Sequence, residues 1–363
     1  MIKLIVTDKL DDSKAFMLDD DRHRVEQFEN DFWEGIAKSV EGYERYLKGF
    51  NEKTGNKIEL AIYSTKRGPA LVGLRLQHFL LSTDASKLCR TAAKKTAYKA
   101  AVAGLNYGGG YCILNAAMVT DQIIEDLGTM IEWLNDTGTR AILAVPDFNI
   151  GYSVLEKLSE YTAHVVEEYK PQYKADTTFE CLKAYQRFTQ LSNLSVNIDG
   201  LTFESHPLIV MAKEEGWDVC ISSSDEEEGL ATASYYKTAF AKQEDIQYLS
   251  GVYVPMCNRR FIGPTVLSVT DAEAVIGPSL IQIDREDIVD ALYNNNIIYI
   301  PEIIVGSGDL ISAAEYLGNT NTKELIGYAA KQASAIMLAG TANKQNVLTL
   351  TNKLAEDIIN GEM

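Results

Sequence analysis

From Val25 to Phe50 apolar residues fall at Val25, Phe28, Phe32, Ile36, Val40, Tyr43 and Leu47, a three-to-four spacing that predicts a long amphipathic helix with an aromatic core face. Before it, Ile2 to Val6 predicts a short strand and Asp19-Asp-Asp-Arg22 ends an acidic connector. After it, the alternation in Lys57-Ile-Glu-Leu-Ala-Ile-Tyr63 predicts a strand, with Gly73 to Leu80 as its neighbour across a Gly68-Pro69 turn. Ser82-Thr-Asp-Ala85 caps a helix whose alanine-rich end, Ala92 to Ala103, carries Lys95 and Lys99 one turn apart. Gly108, Gly109 and Gly110 close that helix, and a short apolar strand runs from Tyr111 to Leu114. Thr120 caps a helix from Asp121 to about Asn135, and the apolar strand Arg140 to Asp147 presents an acid at its exit.

In the second half, a helix is expected from about Ser153 to Lys170, then a linker from Pro171 to Thr178, then a hinge helix from Phe179 to Leu191. Apolar strands at Val196–Ile198, Val219–Ile221, Ile246–Tyr253, Glu273–Ile276 and Ile297–Ile300 alternate with helical stretches, the pattern of a parallel sheet covered by helices. Thr322 to Glu362 reads as helix broken at Gly340. The fold class is therefore α/β, with two domains.

The chain has 363 residues, 46% of them hydrophobic, enough for two packed cores. A net charge of −17 and the lack of a lysine or arginine run disfavour nucleic acid and anionic membrane as partners. The first apolar run is too short for a signal peptide and no segment is long enough to span a bilayer, which points to a cytoplasmic protein. Cys89, Cys112, Cys181, Cys220 and Cys257 lack C-x-x-C spacing and read as apolar thiols in a reducing compartment. Four histidines show no metal-site spacing, so no metal is expected.

Two places carry candidate chemistry. Glycines at 108–110 let the backbone take positive φ and admit a ligand, and Lys99 beside them suits a small carboxylate; the alternative is a plain tight turn with a solvated lysine. Asp147 leaves the carboxyl end of a strand, where ligands tend to bind in α/β sheets; the alternative is a turn aspartate.

The stretch Thr96-Ala-Tyr-Lys-Ala-Ala-Val-Ala-Gly-Leu-Asn-Tyr-Gly-Gly-Gly-Tyr111 resembles the pattern T-Y-K-x-A-x-A-G-L-N-x-G-G-G-K of the amino-acid dehydrogenases that act on leucine, phenylalanine, tryptophan or glutamate. Gly68-Pro-Ala-Leu71, Asp147-Phe-Asn149, Ile298-Tyr-Ile-Pro-Glu302 and Lys353-Leu-Ala-Glu-Asp-Ile-Ile-Asn360 fall in the family's order, so the resemblance spans about residues 57 to 363. It implies a substrate-binding and dimerisation domain over 1–175, a Rossmann-like domain over 178–325, and a tail, 326–363, packing on the first. It also implies Lys99 on the substrate carboxylate, Gly73, Gly109 and Asn149 around the substrate, and Tyr111 with Asp147 as the catalytic pair, Asp147 taking the amino group. Gly200, Thr202 and Ser205 then mark the turn that would hold NAD(P).

Departures from the family pattern fall on its chemistry. Tyr111 stands where the family has its acid/base lysine; a tyrosine, with an ordinary pKa of about 10, brings no positive charge. The dinucleotide turn reads Val196-Asn-Ile-Asp-Gly200-Leu-Thr202-Phe-Glu204-Ser205 and keeps only its first glycine. Thr202 adds a branched Cβ and Glu204 a negative charge where a diphosphate would sit. Asp225, the candidate ribose acid, belongs to an exposed acidic loop, Asp225-Glu-Glu-Glu228. Val72 replaces a glycine of the substrate loop, Ser279-Leu280 stands for paired asparagines, and Gly306-Ser-Gly-Asp309 for N-A-G-G. The expectation is a divergent member impaired in NAD-dependent oxidative deamination, serving as a pseudoenzyme that binds a small amino or keto acid or partners other chains, as a homodimer or hetero-oligomer. Two further readings stand beside it: a rewired NAD(P) oxidoreductase in which Tyr111 and Lys99 share proton transfer, and a non-redox enzyme with Asp147 as base.

Overall fold

The structure, a computed structural model, describes residues 2–8, 14–18, 25–28, 42–51, 56–147, 149–257, 262–280, 282–283, 286–319 and 321–362. The chain divides into two compact units, Met1–Ala101 with Asn106–Tyr169, and Val102–Leu105 with Lys170–Met363.

The first unit holds strands β1 (Ile2–Asp8), β2 (Lys14–Leu18), β3 (Val25–Phe28), β4 (Arg45–Asn51), β5 (Lys57–Ser64), β6 (Ala70–Leu76), β7 (Gly108–Asn115) and β8 (Ala141–Pro146). They form one sheet in the order β3-β2-β1-β4-β5-β7-β6-β8. Pairing is antiparallel from β3 to β7, whereas β6 runs parallel to both β7 and β8.

The helix expected over 25–50 is corrected at both ends, where the chain is strand; residues 29–41 lie outside the described residues. Pairing of β4 with β1 on one side and β5 on the other satisfies its backbone groups along the whole strand, and that long-range bonding overrides a helical spacing of apolar residues. A second correction concerns β5 and β6, which are not neighbours: β7 lies between them, with Leu60 opposite Cys112 and Gly73 opposite Tyr111.

The glycine corner is corrected too. Gly104, at φ +75, makes the turn after helix α1 (Ser82–Val102), while Gly108, Gly109 and Gly110 lie inside β7 and none has positive φ. Their lack of a Cβ serves close packing: a Cβ would lie 2.0 Å from Ser64 O at Gly108, 2.1 Å from Ala97 N at Gly109 and 2.6 Å from Ile62 Cδ1 at Gly110. Strand and helix backbones thus approach more closely than any side chain permits.

On the face opposite α1, Cys112 and Leu114 of β7 join Leu60, Val72 and Leu74 and, from helix α2 (Asp121–Asp136), Ile123, Leu127 and Met130 in one apolar core. Thr120 caps α2 as expected, its Oγ1 accepting from Ile123 N at 3.3 Å. Helix α3 (Tyr152–Leu158) is shorter than the sequence suggested, because the chain turns back to pair Val165 with Leu143.

The second unit is a six-stranded parallel sheet of β9 (Ser195–Asp199), β10 (Asp218–Ser222), β11 (Ala239–Phe240), β12 (Gly251–Pro255), β13 (Ala272–Ile276) and β14 (Ile298–Ile300). Its order, β11-β10-β9-β12-β13-β14, is that of a Rossmann-like sheet, with the direction of winding reversed between β9 and β12. The stretch expected as a linker is the start of α4 (Pro171–Thr189), one continuous helix with proline in its first turn, where a missing N–H costs no bond. Helices α5 (Ser205–Glu214) and α6 (Glu226–Tyr236) follow β9 and β10. The acidic run is the start of α6 rather than a loop: Asp225 is its N-cap and accepts from Glu227 N and Glu228 N at 3.0 and 3.1 Å.

Beyond α7 (Pro264–Leu267), α8 (Glu286–Asn294), α9 (Glu302–Val305) and α10 (Gly308–Tyr316), the chain ends in α11 (Thr322–Asn343) and α12 (Val347–Asn360). Within this unit α11 packs on α4 and β14, and α12 on α8 and α11. The break between them is Lys344, at φ 52, whereas Gly340 lies inside α11 beneath the Tyr293 ring. No described helix is long and apolar enough to cross a membrane.

Candidate functional site

In the first unit, Gly73 and Tyr111 are register partners across β6 and β7, and a Cβ on Gly73 would lie 2.8 Å from the Tyr111 ring. The ring therefore rests on the glycine. Arg75, two residues along β6, projects to the same face. Asp147 follows β8 and is anchored by its own N–H, which donates to Leu74 O at 2.8 Å.

These residues meet. Tyr111 Oη donates a hydrogen bond to Asp147 Oδ2, and Arg75 Nη1 lies 3.8 Å from the same oxygen. Arg75 is itself held by Gln77, whose Oε1 accepts from Nε at 2.8 Å. Tyr111 and Arg75 are buried, at 2% and 5% exposure. Burial first, and the Asp147 charge second, push the Tyr111 hydroxyl well above its ordinary pKa, with Arg75 opposing. Position 111 is consequently a neutral hydrogen-bond donor at physiological pH, and the positive charge beside Asp147 is that of Arg75.

Lys99 lies in the last turn of α1 and is 4% exposed, so it is not a solvated surface lysine. It stands two residues past Ala97, the residue that fills the face opened by the missing Cβ of Gly109. Asn149 takes a left-handed φ of 58, and its Nδ2 donates to Leu76 O at 3.5 Å. The cluster formed by Gly73, Tyr111 and Asp147 was legible in the sequence; Arg75 was missed. Its signal was a charge inside the apolar strand Gly73-Leu-Arg-Leu76, in step with Gly73.

In the second unit, Gly200, Thr202 and Ser205 form the turn from β9 into α5. Gly200 has φ +101, and a Cβ there would lie 2.7 Å from Cys257 Cβ. Ser205 Oγ donates to Gly200 O at 2.8 Å and accepts from Thr202 N at 3.0 Å, closing the turn on itself. Glu204, which immediately precedes α5, pairs with Lys174 of α4 at 3.6 Å. Asp199, at the head of the turn, is fully buried: its Oδ1 accepts from Ser222 Oγ and its Oδ2 from Tyr253 Oη, both at 2.7 Å. It ties the carboxyl ends of β9, β10 and β12 together. Asp199 was read in the sequence only as part of the turn, although an acid closing an apolar strand was the available sign. Ser279 Oγ donates to Cys257 O at 2.7 Å, so it too is engaged within the chain. Among the described residues no group of three or more His, Cys, Asp or Glu is placed to hold a metal ion.

A two-domain α/β chain whose second unit is Rossmann-like matches solved amino-acid dehydrogenases in fold. No family model matches the chain. The crystal structure of L-tryptophan dehydrogenase from Nostoc punctiforme superposes with a TM-score of 0.73 at 22% identity, over 90% of this chain and 98% of that one. Hetero-hexameric glutamate dehydrogenase from Thermus thermophilus, in its Leu-bound form, gives a TM-score of 0.65 at 16% identity, over 87% of this chain and 85% of that one. In sequence, leucine dehydrogenase of Bacillus subtilis is 22% identical over 327 residues, 86% of each chain. In sequence over most of its length, and in fold, the chain is similar to the amino-acid dehydrogenases, at 22–25% identity to the relatives named for leucine, valine, phenylalanine and tryptophan.

Proposed function

We propose that this chain binds a small amino or keto acid in its first unit and does not carry out efficient NAD(P)-dependent oxidative deamination. The observation that carries the reading is position 111, where a buried tyrosine bonded to Asp147 stands in place of the family's lysine. A tyrosine whose hydroxyl is held neutral brings neither the positive charge nor the exchangeable ammonium proton that a lysine would supply at that position. Binding is another matter: buried Lys99 and Arg75 supply cations suited to a carboxylate, and Asp147 supplies the acceptor suited to an ammonium.

The residues present do not fit NAD(P) held in the family's manner. Thr202 and Glu204 replace small residues, the Thr202 N–H is already bonded to Ser205 Oγ, and Asp199 and Glu204 bring two carboxylates to the place of a diphosphate. The protein's role is then recognition of its ligand, or partnership with copies of itself or a second chain. That Thermus thermophilus glutamate dehydrogenase is a hetero-hexamer supports the second arm.

The test is calorimetric titration with a panel of L-amino and 2-oxo acids, with reduced-nicotinamide absorbance at 340 nm followed in parallel. A subset of the acids should bind, Lys99→Met should weaken that binding at least tenfold, and no turnover should appear. Sustained turnover of any amino acid with NAD or NADP would overturn the proposal.

A further inference from the structure

The second unit carries a cavity of about 600 Å³ between α8, the amino end of β14 and the junction of α11 with α12. The strands run parallel, which puts the cavity at the opposite end of the sheet from the β9–α5 turn. Tyr293 forms one wall: Gly340 lacks a Cβ, which would lie 2.5 Å from Tyr293 Oη, so the ring lies directly on α11, and its Oη donates to Tyr299 O at 3.2 Å. The other walls are polar and carry both signs of charge. Asp290 of α8 is fixed by Asn346, the N-cap of α12, whose Nδ2 donates to its Oδ1 at 2.8 Å. Lys344 ends α11, and the side chains of Asn294, Asn296 and Gln345 add amides. Lys344 stands where a side chain is least expected. Its backbone is left-handed, at φ 52, the conformation in which L-residues are strained and helices commonly end on glycine. Gly361 makes that choice at the end of α12, at φ 73. At the end of α11 the chain keeps a long cation instead, and that cation lines the cavity. Asn296, at φ 60 just past α8, repeats the pattern with a residue that tolerates it better.

We propose that this cavity binds a short peptide with both termini free, of about two or three residues. Opposite charges on separate elements suit a dipolar ligand: Lys344 takes the carboxylate terminus and Asp290 the ammonium, each by a charge-assisted hydrogen bond. Asn294, Asn296 and Gln345 take the peptide groups between them, since a side-chain amide offers the same donor and acceptor as a peptide group. A free amino acid is too small, because a ligand site buries most of its ligand's surface and a single residue would leave this volume mostly to water. The site lies wholly in the second unit, and its ligand does not depend on the amino-acid site of the first.

The experiment is titration calorimetry of the full chain with di- and tri-L-alanine and with their N-acetylated and C-amidated forms, thermal melting being followed on the same samples. At least one free peptide should bind saturably, and blocking either terminus should weaken it about tenfold or more. Lys344→Gly should bind about tenfold more weakly yet melt at or above the unaltered protein, because it removes the carboxylate's partner and relaxes the backbone at once. Asp290→Asn, whose amide oxygen can still accept from Asn346, should weaken binding to a similar degree. Each charge should answer to one terminus: the penalty for amidation should vanish in Lys344→Gly, and the penalty for acetylation in Asp290→Asn. No saturable binding of either peptide up to about 10 mM would overturn the proposal. So would equal affinity for free and blocked forms, peptide binding by Lys344→Gly that matches the unaltered protein, or loss of free-alanine binding in Lys344→Gly.

Discussion

Gly109→Ala tests whether the glycine run exists for packing or for ligand access. The added Cβ would lie 2.1 Å from Ala97 N and 2.3 Å from Ala97 Cα, against an ordinary contact of 3.4 Å or more. The obstacle is helix backbone, which cannot rotate away, so α1 and β7 must separate by about 1.3 Å, the difference between those two distances. Overpacking a core costs about 1–3 kcal/mol, and a backbone obstacle places this case near the top, at about 3 kcal/mol. For a unit of about 150–250 residues each kcal/mol moves Tm by about 2–4 °C, so a fall of roughly 6–12 °C is expected by calorimetry or far-ultraviolet dichroism. Gly327→Ala is the control, since nothing lies within 4 Å of its Cβ; inside α11 it should leave stability unchanged or raise it by up to about 1 kcal/mol. A Gly109→Ala protein that melts with the unaltered one yet loses amino-acid affinity would refute the packing argument and return this glycine to the ligand.

Three other outcomes follow from the same structure. Tyr111→Phe deletes the donor to Asp147 and should cost about 1.5–3 kcal/mol in urea unfolding, the range for a hydrogen bond to a charged acceptor; an unchanged midpoint would deny that the bond matters. Thr120→Ala should remove about 1 kcal/mol by uncapping α2, read from the same urea curves, and a neutral result would contradict the cap. Burial pushes the hydroxyls of Tyr43, Tyr185 and Tyr293 up to about 12, above the unfolded value of about 10. Because the folded pKa is raised, their contribution is intact below about pH 10 and is lost as the pH rises towards 12. Stability should therefore be lost across that window, and absorbance at 295 nm should show a block of tyrosines that ionise late; complete titration near pH 10 in the folded protein would refute it.

Residues whose surroundings are local were the ones the sequence revealed. Thr120 before an amphipathic run caps α2, and alternating strands and helices after Leu194 form the parallel sheet, because each depends on neighbours within a few positions. What failed depends on distant partners. Periodicity at 25–50 gave no hint that β1 and β5 flank β4, and Gly108–Gly110 looked like a turn because their need for space comes from Ser64, Ala97 and Ile62. Pro171 looked like a break, although proline in a first helical turn is as much a start. At the site, Tyr111 and Asp147 were legible through the family pattern, while Arg75 and the Asp199 latch were not. Their roles arise where strands β6, β7 and β8, or β9, β10 and β12, come side by side.

We propose an amino-acid site kept in the first unit and, in the second, a Rossmann-like sheet whose β9–α5 turn does not seat a dinucleotide. The most direct test is equilibrium titration of the intact protein with NADH and NADPH, followed by nicotinamide fluorescence with a bound amino acid present. The account predicts no saturable binding of either. Micromolar binding that Thr202→Trp or Ser205→Trp abolishes would contradict it.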